Sequence, residues 1–350
     1  MADKLRIAFL GCGYMGQNAH MKNYFELRDQ CDIVAIAEAR PGLGKAVAAH
    51  YGVPHVFERY DQMLGSVEFD AVVSAQPFSN HIHIVPMVLE SGKPMLTEKP
   101  LCVRPDNAVK LADLADRHRV LHMVGYHKRS DLASEYAKAL VDEWRGSGEF
   151  GKLRLIRISM PPGNWVGGAP RPITTDESYP PIEAESPPDE FPGQLGKDYI
   201  SFVNYYIHQV NYLHFMLGEP LAVDYADRSG VMLAASGDSG VCATLEMAAY
   251  ETRDDWQEEI FIAFERGTIR VQLPAPLADR QPGRVFVMRG KREELMTTAE
   301  ITLPRVAAMQ NQAKNFIAAA KGERPAPCDS RRAADDLRFA ADYIRKLNGI

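Results

Sequence analysis

The chain has 350 residues, 46% hydrophobic and 25% charged, with a net charge of −6, a length that allows two domains or one elaborated domain. The mild acidity argues against a nucleic-acid surface and against a polybasic membrane patch, and no run of 18 or more apolar residues is present to span a bilayer. Five scattered cysteines (Cys12, Cys31, Cys102, Cys242, Cys328) form no CxxC pair, which fits reduced thiols in a cytoplasm better than a disulfide framework or a zinc site.

The opening MADKLRIAFLGCGYMG lacks the pattern of a signal peptide, so a cytoplasmic protein is expected. LRIAFL (5–10) reads as a buried strand that stops at glycine, and a helix-like stretch follows to about Leu27. Further strands are expected at 33–37, 70–75, 94–96 and 121–125, alternating with helical segments. That alternation predicts a doubly wound parallel sheet of the Rossmann type over residues 1–127. The remainder, 128–350, reads as an α+β domain with an open, mostly antiparallel sheet. LRLIRISM (153–160) alternates like a half-covered strand. Residues 161–192 hold nine prolines and six acidic residues against one basic residue, so 161–200 is read as a long loop. A helix is predicted over 202–217. Strands follow in VMLAAS, VCATLEMAA, EIFIAFE, TIRVQLP, RVFVMR and ELMTTAEITL, and helices at about 305–321 and 330–347 close the chain.

GCGYMG (11–16) is a complete GxGxxG between a strand and a helix. The first glycine permits the tight turn, the second lets backbone approach a pyrophosphate, and the third allows close helix–strand packing. The helix N-terminus adds free N–H groups and a positive dipole end. Glu38 ends the second strand, 22 positions beyond Gly16, where a carboxylate can accept hydrogen bonds from a ribose and repel a 2′-phosphate. NAD is therefore favoured. Arg40 is the counter-signal for NADP, since a guanidinium can hold a 2′-phosphate.

TEKP (97–100) follows the fourth strand at the carboxyl edge of the sheet, where ligands of open α/β sheets bind. A desolvated lysine there is a usable acid or base near neutral pH. In FVNYYIHQVNYL (202–213), helical spacing would put Asn204, His208 and Asn211 within about a 60° arc, beside an apolar stripe of Val203, Ile207, Val210 and Leu217. His81–Ile82–His83 is an HxH without a third ligand at matching spacing, so no metal site is expected.

GCGYMG, QPFSNH (76–81), GKPMLTEKP (92–100), GYHKR (125–129) and NxxxH at 204–208, in this order, resemble the Gfo/Idh/MocA family, over essentially the whole chain. The resemblance implies a nicotinamide-dependent oxidoreductase acting at a secondary carbon of a sugar or cyclitol, with an open sheet that often mediates oligomerisation. It places Gly11, Cys12, Gly13, Tyr14, Met15 and Gly16 at the pyrophosphate, with Glu38 and Arg40 at the adenosine ribose. Ala75, Gln76, Pro77, His81, Glu98, Lys99 and His127 would lie along the remainder of the cofactor. Lys99 would also contact the reacting hydroxyl, and His208 matches the histidine of the family's DxxxH motif, the proton acceptor or its partner. Asn204 departs from the aspartate of that motif, and Asn211 from a second common aspartate. A neutral amide can orient the imidazole but adds no charge, which makes His208 a weaker base and leaves Lys99 more of the proton transfer. Tyr126, Arg129 and Trp165 join Lys99, Asn204 and His208 as candidate substrate contacts, Trp165 because an aromatic face stacks on a sugar ring.

The sequence thus reads as an NAD-dependent dehydrogenase of a sugar, glycoside or cyclitol, a homodimer or homotetramer, with no metal, nucleic-acid or membrane partner. Two other readings remain open: a tightly bound NAD used for transient oxidation during glycoside cleavage, and a non-catalytic binding or regulatory protein of the same fold.

Overall fold

The computed structural model describes residues 4–249, 255–290 and 295–350. They divide into two compact units, neither contiguous in sequence. The first runs to Tyr126 and includes Ala169–Gly196 and Gln312–Leu337; the second comprises His127–Gly168, Lys197–Asn311 and Arg338–Ile350. The sequence suggests one boundary at 127, but the chain returns twice to the first unit.

The first unit opens with β1 (Leu5–Leu10), then a helix that starts as a π-helical turn (Gly16–Met21) and continues as α1 (Lys22–Glu26). It proceeds through β2 (Cys31–Ala37), α2 (Pro41–Tyr51), β3 (His55–Phe57), α3 (Tyr60–Ser66), β4 (Ala71–Ser74) and α4 (His81–Glu90). β5 (Met95–Thr97), α5 (Pro105–His118) and β6 (His122–Val124) complete it. The strands order 3-2-1-4-5-6 and pair in parallel, so the order reverses between β1 and β4 and leaves a crevice at their carboxyl ends. Both faces are covered, which is why β1 and β4 are near-continuous apolar runs. Ile7, Phe9, Ile36, Val73 and Leu96 share one core with Phe316 and Ile317 from the returning chain. β3 has only three residues, none fully buried, so no apolar pattern announces it in the sequence.

The second unit starts at a short 3-10 turn, His127–Ser130, and α6 (Leu132–Ser147), capped by Asp131, whose carboxylate accepts from Ala133 N–H at 2.8 Å. β7 (Leu153–Ser159) and, after the helices below, β8 (Leu221–Ala226), β9 (Met232–Gly237), β10 (Cys242–Glu246), β11 (Glu258–Phe264), β12 (Gly267–Leu273), β13 (Arg284–Arg289) and β14 (Thr297–Ile301) form one sheet. Its order is 14-13-12-11-7-10-9-8, antiparallel except where β7 pairs β10. β11 alternates buried and half-buried residues along its length, the signature of a sheet covered on one face. β8 escapes the sequence reading because none of its side chains is buried. Glu294, at the start of the last expected strand, lies outside the described residues.

The expected helix over 202–217 is two helices, α7 (Gln194–Tyr205) and α8 (Ile207–Leu217), separated at Tyr206. Consecutive aromatic residues mark the break: Tyr206 packs edge-on to Tyr205 and sends its hydroxyl to the Met247 carbonyl at 3.3 Å. Asn204 and His208 therefore belong to different helices. α9 (Ala308–Ala320) and α10 (Ser330–Asn348) close the chain.

His122 is buried on β6, with Nε2 3.1 Å from the Thr97 hydroxyl, and burial pushes its pKa down to about 3. Between the ordinary value of 6.5 and that value the unfolded chain holds a proton the folded chain refuses. Stability is therefore full above that window and is lost as pH falls through it. In His122→Gln, which keeps a polar partner for Thr97, the thermal midpoint should fall less steeply than in wild type from about pH 6.5 down to about pH 4.5. An unchanged slope would show that other groups control acid sensitivity.

Candidate functional site

The glycine turn is built as a dinucleotide cradle. Gly11 has φ +86°, a left-handed conformation, and its N–H donates to the Ala37 carbonyl at 2.8 Å. A Cβ on Gly16 would lie 2.5 Å from the Gly11 carbonyl oxygen, so only glycine lets the helix start this close to the turn. Glu38 is 1% exposed at the end of β2. Its Oε2 accepts from Cys12 N–H at 2.9 Å and its Oε1 from Arg40 Nε at 2.6 Å. Both carboxylate oxygens thus hold internal donors at the end of β2, and Arg40 is held by Glu38 rather than left open for a 2′-phosphate. Tyr14 is exposed, and Gly13 and Met15 are half-buried, leaving the outer rim of the cradle accessible. These features fit a nicotinamide dinucleotide.

Gln17 and His20, which carry no signal in the sequence reading, organise the helix after the turn. Gln17 donates to the Cys12 carbonyl at 2.8 Å and to the Ile173 carbonyl at 3.0 Å, and accepts from Ile173 N–H at 2.9 Å. His20 Nε2 lies 2.6 Å from Glu98 Oε1, both side chains buried. Burial alone would raise the Glu98 pKa; the hydrogen bond and charge of His20, with Lys99, bring it below the usual carboxylate range. Glu98 Oε2 also accepts from Lys99 N–H at 3.3 Å, so the start of the EKP segment is fixed from beneath and Lys99 itself is half-buried. A histidine four positions after a GxGxxG and a glutamate before a lysine are individually unremarkable residues; only the fold joins them.

Around the crevice, Ala75 and Gln76 are half-buried and Pro77 is exposed at the end of β4. His81 is fully buried; its Nδ1 bonds the Leu101 carbonyl at 2.9 Å, and burial lowers its pKa. It ties α4 to the loop after the EKP segment. Tyr126 is 2% exposed.

In the second unit, His127 and His208 meet edge-on, ring centroids 4.7 Å apart at 75°. His127 is buried and His208, in the first turn of α8, is half-buried. Asn204 is exposed at the end of α7. Asn211 is buried and its Oδ1 accepts from Arg129 Nε at 2.6 Å, while the guanidinium also covers the Phe215 ring at 4.9 Å. Arg129 and Asn211 therefore form a buried structural pair. Trp165 is 38% exposed, its carbonyl accepting from Leu277 N–H at 3.2 Å. Lys128, which the sequence reading passes over, is buried and ion-paired to Glu258, whose other oxygen accepts from Gln209 Nε2 at 2.7 Å.

A 3-2-1-4-5-6 parallel sheet, a glycine cradle and a buried carboxylate ending β2 define a nucleotide-binding Rossmann protein. Residues 5–126 match the oxidoreductase family model with NAD-binding Rossmann fold named for Gfo, Idh and MocA. Inositol 2-dehydrogenase of Corynebacterium glutamicum is 25% identical over 295 residues, covering 82% of this chain and 79% of the relative. Inositol 2-dehydrogenase of Rhizobium meliloti is 22% identical over 347 residues, covering 92% and 91%. Levoglucosan dehydrogenase, solved with NADH and levoglucosan, superposes with a TM-score of 0.75 at 15% identity, over 99% of this chain and 98% of that one, which establishes a common fold. The match identifies residues 5–126 as an NAD-binding Rossmann unit similar to that of the Gfo/Idh/MocA oxidoreductases, with NAD as its cofactor.

Removing the partner of a buried charge is costly, about 3–5 kcal/mol, because the remaining charge stays desolvated. His20→Ala should accordingly lower stability by a few kcal/mol, read as the urea midpoint, and His20→Ala/Glu98→Gln should recover part of that loss. A double variant no more stable than the single one would show that the pair is not coupled.

Proposed function

We propose that this protein is an NAD-dependent dehydrogenase that oxidises a secondary alcohol of a cyclitol, sugar or glycoside. The observation that carries this reading is the fixed EKP segment: Lys99 follows β5 at the carboxyl edge of the sheet, its backbone anchored by a glutamate that His20 holds in place. The inositol dehydrogenases named above are the relatives that point to a polyhydroxylated substrate. When bound, NAD supplies the hydride acceptor.

The chain's own residues handle the proton and the placement of the hydroxyl. Lys99 is the candidate general base or hydroxyl-orienting cation. His208, half-buried against His127, is the candidate second proton acceptor. Asn204 stands in place of a carboxylate and adds no charge to the imidazole, which leaves the larger share of proton transfer to Lys99. Trp165, exposed on a loop tied to Leu277, is the candidate sugar-stacking surface. In the same reading the chain is cytoplasmic and assembles as a homodimer or homotetramer through its open sheet.

Absorbance near 340 nm with NAD and a panel of inositols and pyranosides tests the activity. Lys99→Met and His208→Ala should each lower kcat by about 10²–10⁴-fold, the range for a lost proton-transfer group, with smaller changes in KM. Asn204→Asp should move the acidic limb of the kcat/KM profile to higher pH if an exposed carboxylate at the end of α7 acts on the His208 imidazole, and an unchanged profile would show that the helix break at Tyr206 uncouples the two positions. Turnover intact in both single variants would remove Lys99 and His208 from the mechanism.

A further inference from the structure

The acidic, proline-rich segment 169–196 belongs to the nucleotide unit, and its anchors line the carboxyl edge of the sheet. Ile173 is fastened by its backbone to Gln17, next to the glycine turn. Glu177 accepts from Gly42 N–H at 2.9 Å and Leu43 N–H at 3.0 Å, at the start of α2 beyond β2. Tyr179 sends its hydroxyl to Gln76 Oε1 at 2.6 Å, beyond β4, and its ring lies 5.2 Å from the Arg40 guanidinium that Glu38 holds. Glu185 accepts from Val103 N–H at 2.6 Å and from Asn107 Nδ2 at 2.7 Å, beyond β5, while its own N–H donates to the Ser79 carbonyl at 2.9 Å. These points lie at the ends of β2, β1, β4 and β5, four neighbouring strands of the sheet, so residues 173–185 cross the mouth of the crevice in which such sheets bind dinucleotides.

We propose that residues 173–185 are a clasp that retains the cofactor, with Tyr179 and Arg40 as a stacked pair closing over its adenosine half. This rests on NAD occupying the glycine turn. Two features make the segment suited to the task. Neither α2 nor α5 has a side-chain cap of its own; each begins with an Arg-Pro pair, Arg40–Pro41 and Arg104–Pro105. Glu177 accepts from two N–H groups in the first turn of α2, and Glu185 from the Val103 and Arg104 N–H groups leading into α5 and from the Asn107 side chain, so the clasp is bonded at both ends by charge-assisted hydrogen bonds. Between the two anchors, Pro180 and Pro181 restrict the backbone, which lowers the entropy lost on holding the span in place. Release of the nucleotide then requires the Glu177 end to detach, and exchange between bound and free cofactor is slow relative to an open Rossmann site.

The test is a displacement experiment. Protein loaded with NADH is mixed with excess NAD, and the loss of bound-nicotinamide fluorescence gives the release rate without any turnover. Glu177→Ala and Tyr179→Ala should each accelerate release by about tenfold or more, the factor that corresponds to losing one cap-sized interaction. Release rates equal to wild type in both variants would overturn the clasp. Hydrogen exchange of wild type gives a second reading that needs no variant: the Ile173, Gly42 and Leu43 amides should gain protection when NADH binds, and unchanged or lowered protection would contradict the proposal. Failure of wild type to bind NADH at all would instead sink the cofactor assignment itself, which keeps the two ideas separable.

Discussion

The nucleotide unit depends on one buried carboxylate. Glu38 is removed from water at the end of β2, a position in which an unpaired charge would be prohibitively expensive. Its cost is offset by the Cys12 N–H on one oxygen and by Arg40 on the other. Those bonds lock the glycine turn to the second strand, beside the Gly11 N–H to Ala37 carbonyl bond. The cradle is thereby braced by internal bonds, and the same carboxylate holds the Arg40 guanidinium against the Tyr179 ring. Cys12 is inert in this setting, because burial above all, with Glu38 beside it, raises its thiol pKa well above the usual range.

The same device recurs at longer range. A helix start exposes N–H groups that must find acceptors, and α2 and α5 have arginine and proline where serine, threonine or aspartate would ordinarily stand. Their acceptors come from glutamates 134 and 81 residues away, Glu177 to Leu43 and Glu185 to Arg104. A segment with seven prolines between 169 and 193, ahead of α7, has few backbone donors and forms no strand or helix. It is ordered instead by what it gives to its neighbours, two carboxylates and a phenol.

This explains what was legible in the sequence. The parallel strands were, because burial on both faces makes a strand such as β4 a short apolar run. The cradle was, because the turn, the close packing and the terminal acid are each required at fixed spacing, and the structure meets them at Gly11, Gly16 and Glu38. The strands β3 and β8 were not, since neither buries a continuous face. The break at Tyr206 was not, since the 3.6-residue pattern of Val203, Ile207 and Val210 runs straight through it and all three are buried. Least legible was the place of the acidic loop. Its composition says only that it is irregular, and the residues that receive it (Gln17, Gly42, Gln76, Ser79, Val103) have no local reason to be special. The pairing of His20 with Glu98 is hidden in the same way, 78 residues apart.

In the second unit the informative feature is three successive polar residues that are all buried. His127 packs against His208, Lys128 is paired to Glu258, and Arg129 is bonded to Asn211. A short stretch of basic character at a strand end reads from sequence as a set of side chains open to a cleft; in the fold each packs against or bonds to a different residue of α8 or β11. Replacing such buried pairs with apolar residues is often neutral or stabilising in other proteins, so stability alone does not account for them. What they do here is fix α8 just after His208: Gln209, the next residue, is bonded to the Glu258 that holds Lys128, and Asn211, one turn on, holds Arg129. A site that must distinguish one hydroxyl among several similar ones needs its polar groups placed to a fraction of an ångström. The buried hydrogen bonds of Gln209 and Asn211 hold the first turns of α8, and such a hold is what the proton-transfer role proposed for His208 requires, since the exposed Asn204 on α7 cannot supply the charge of an aspartate.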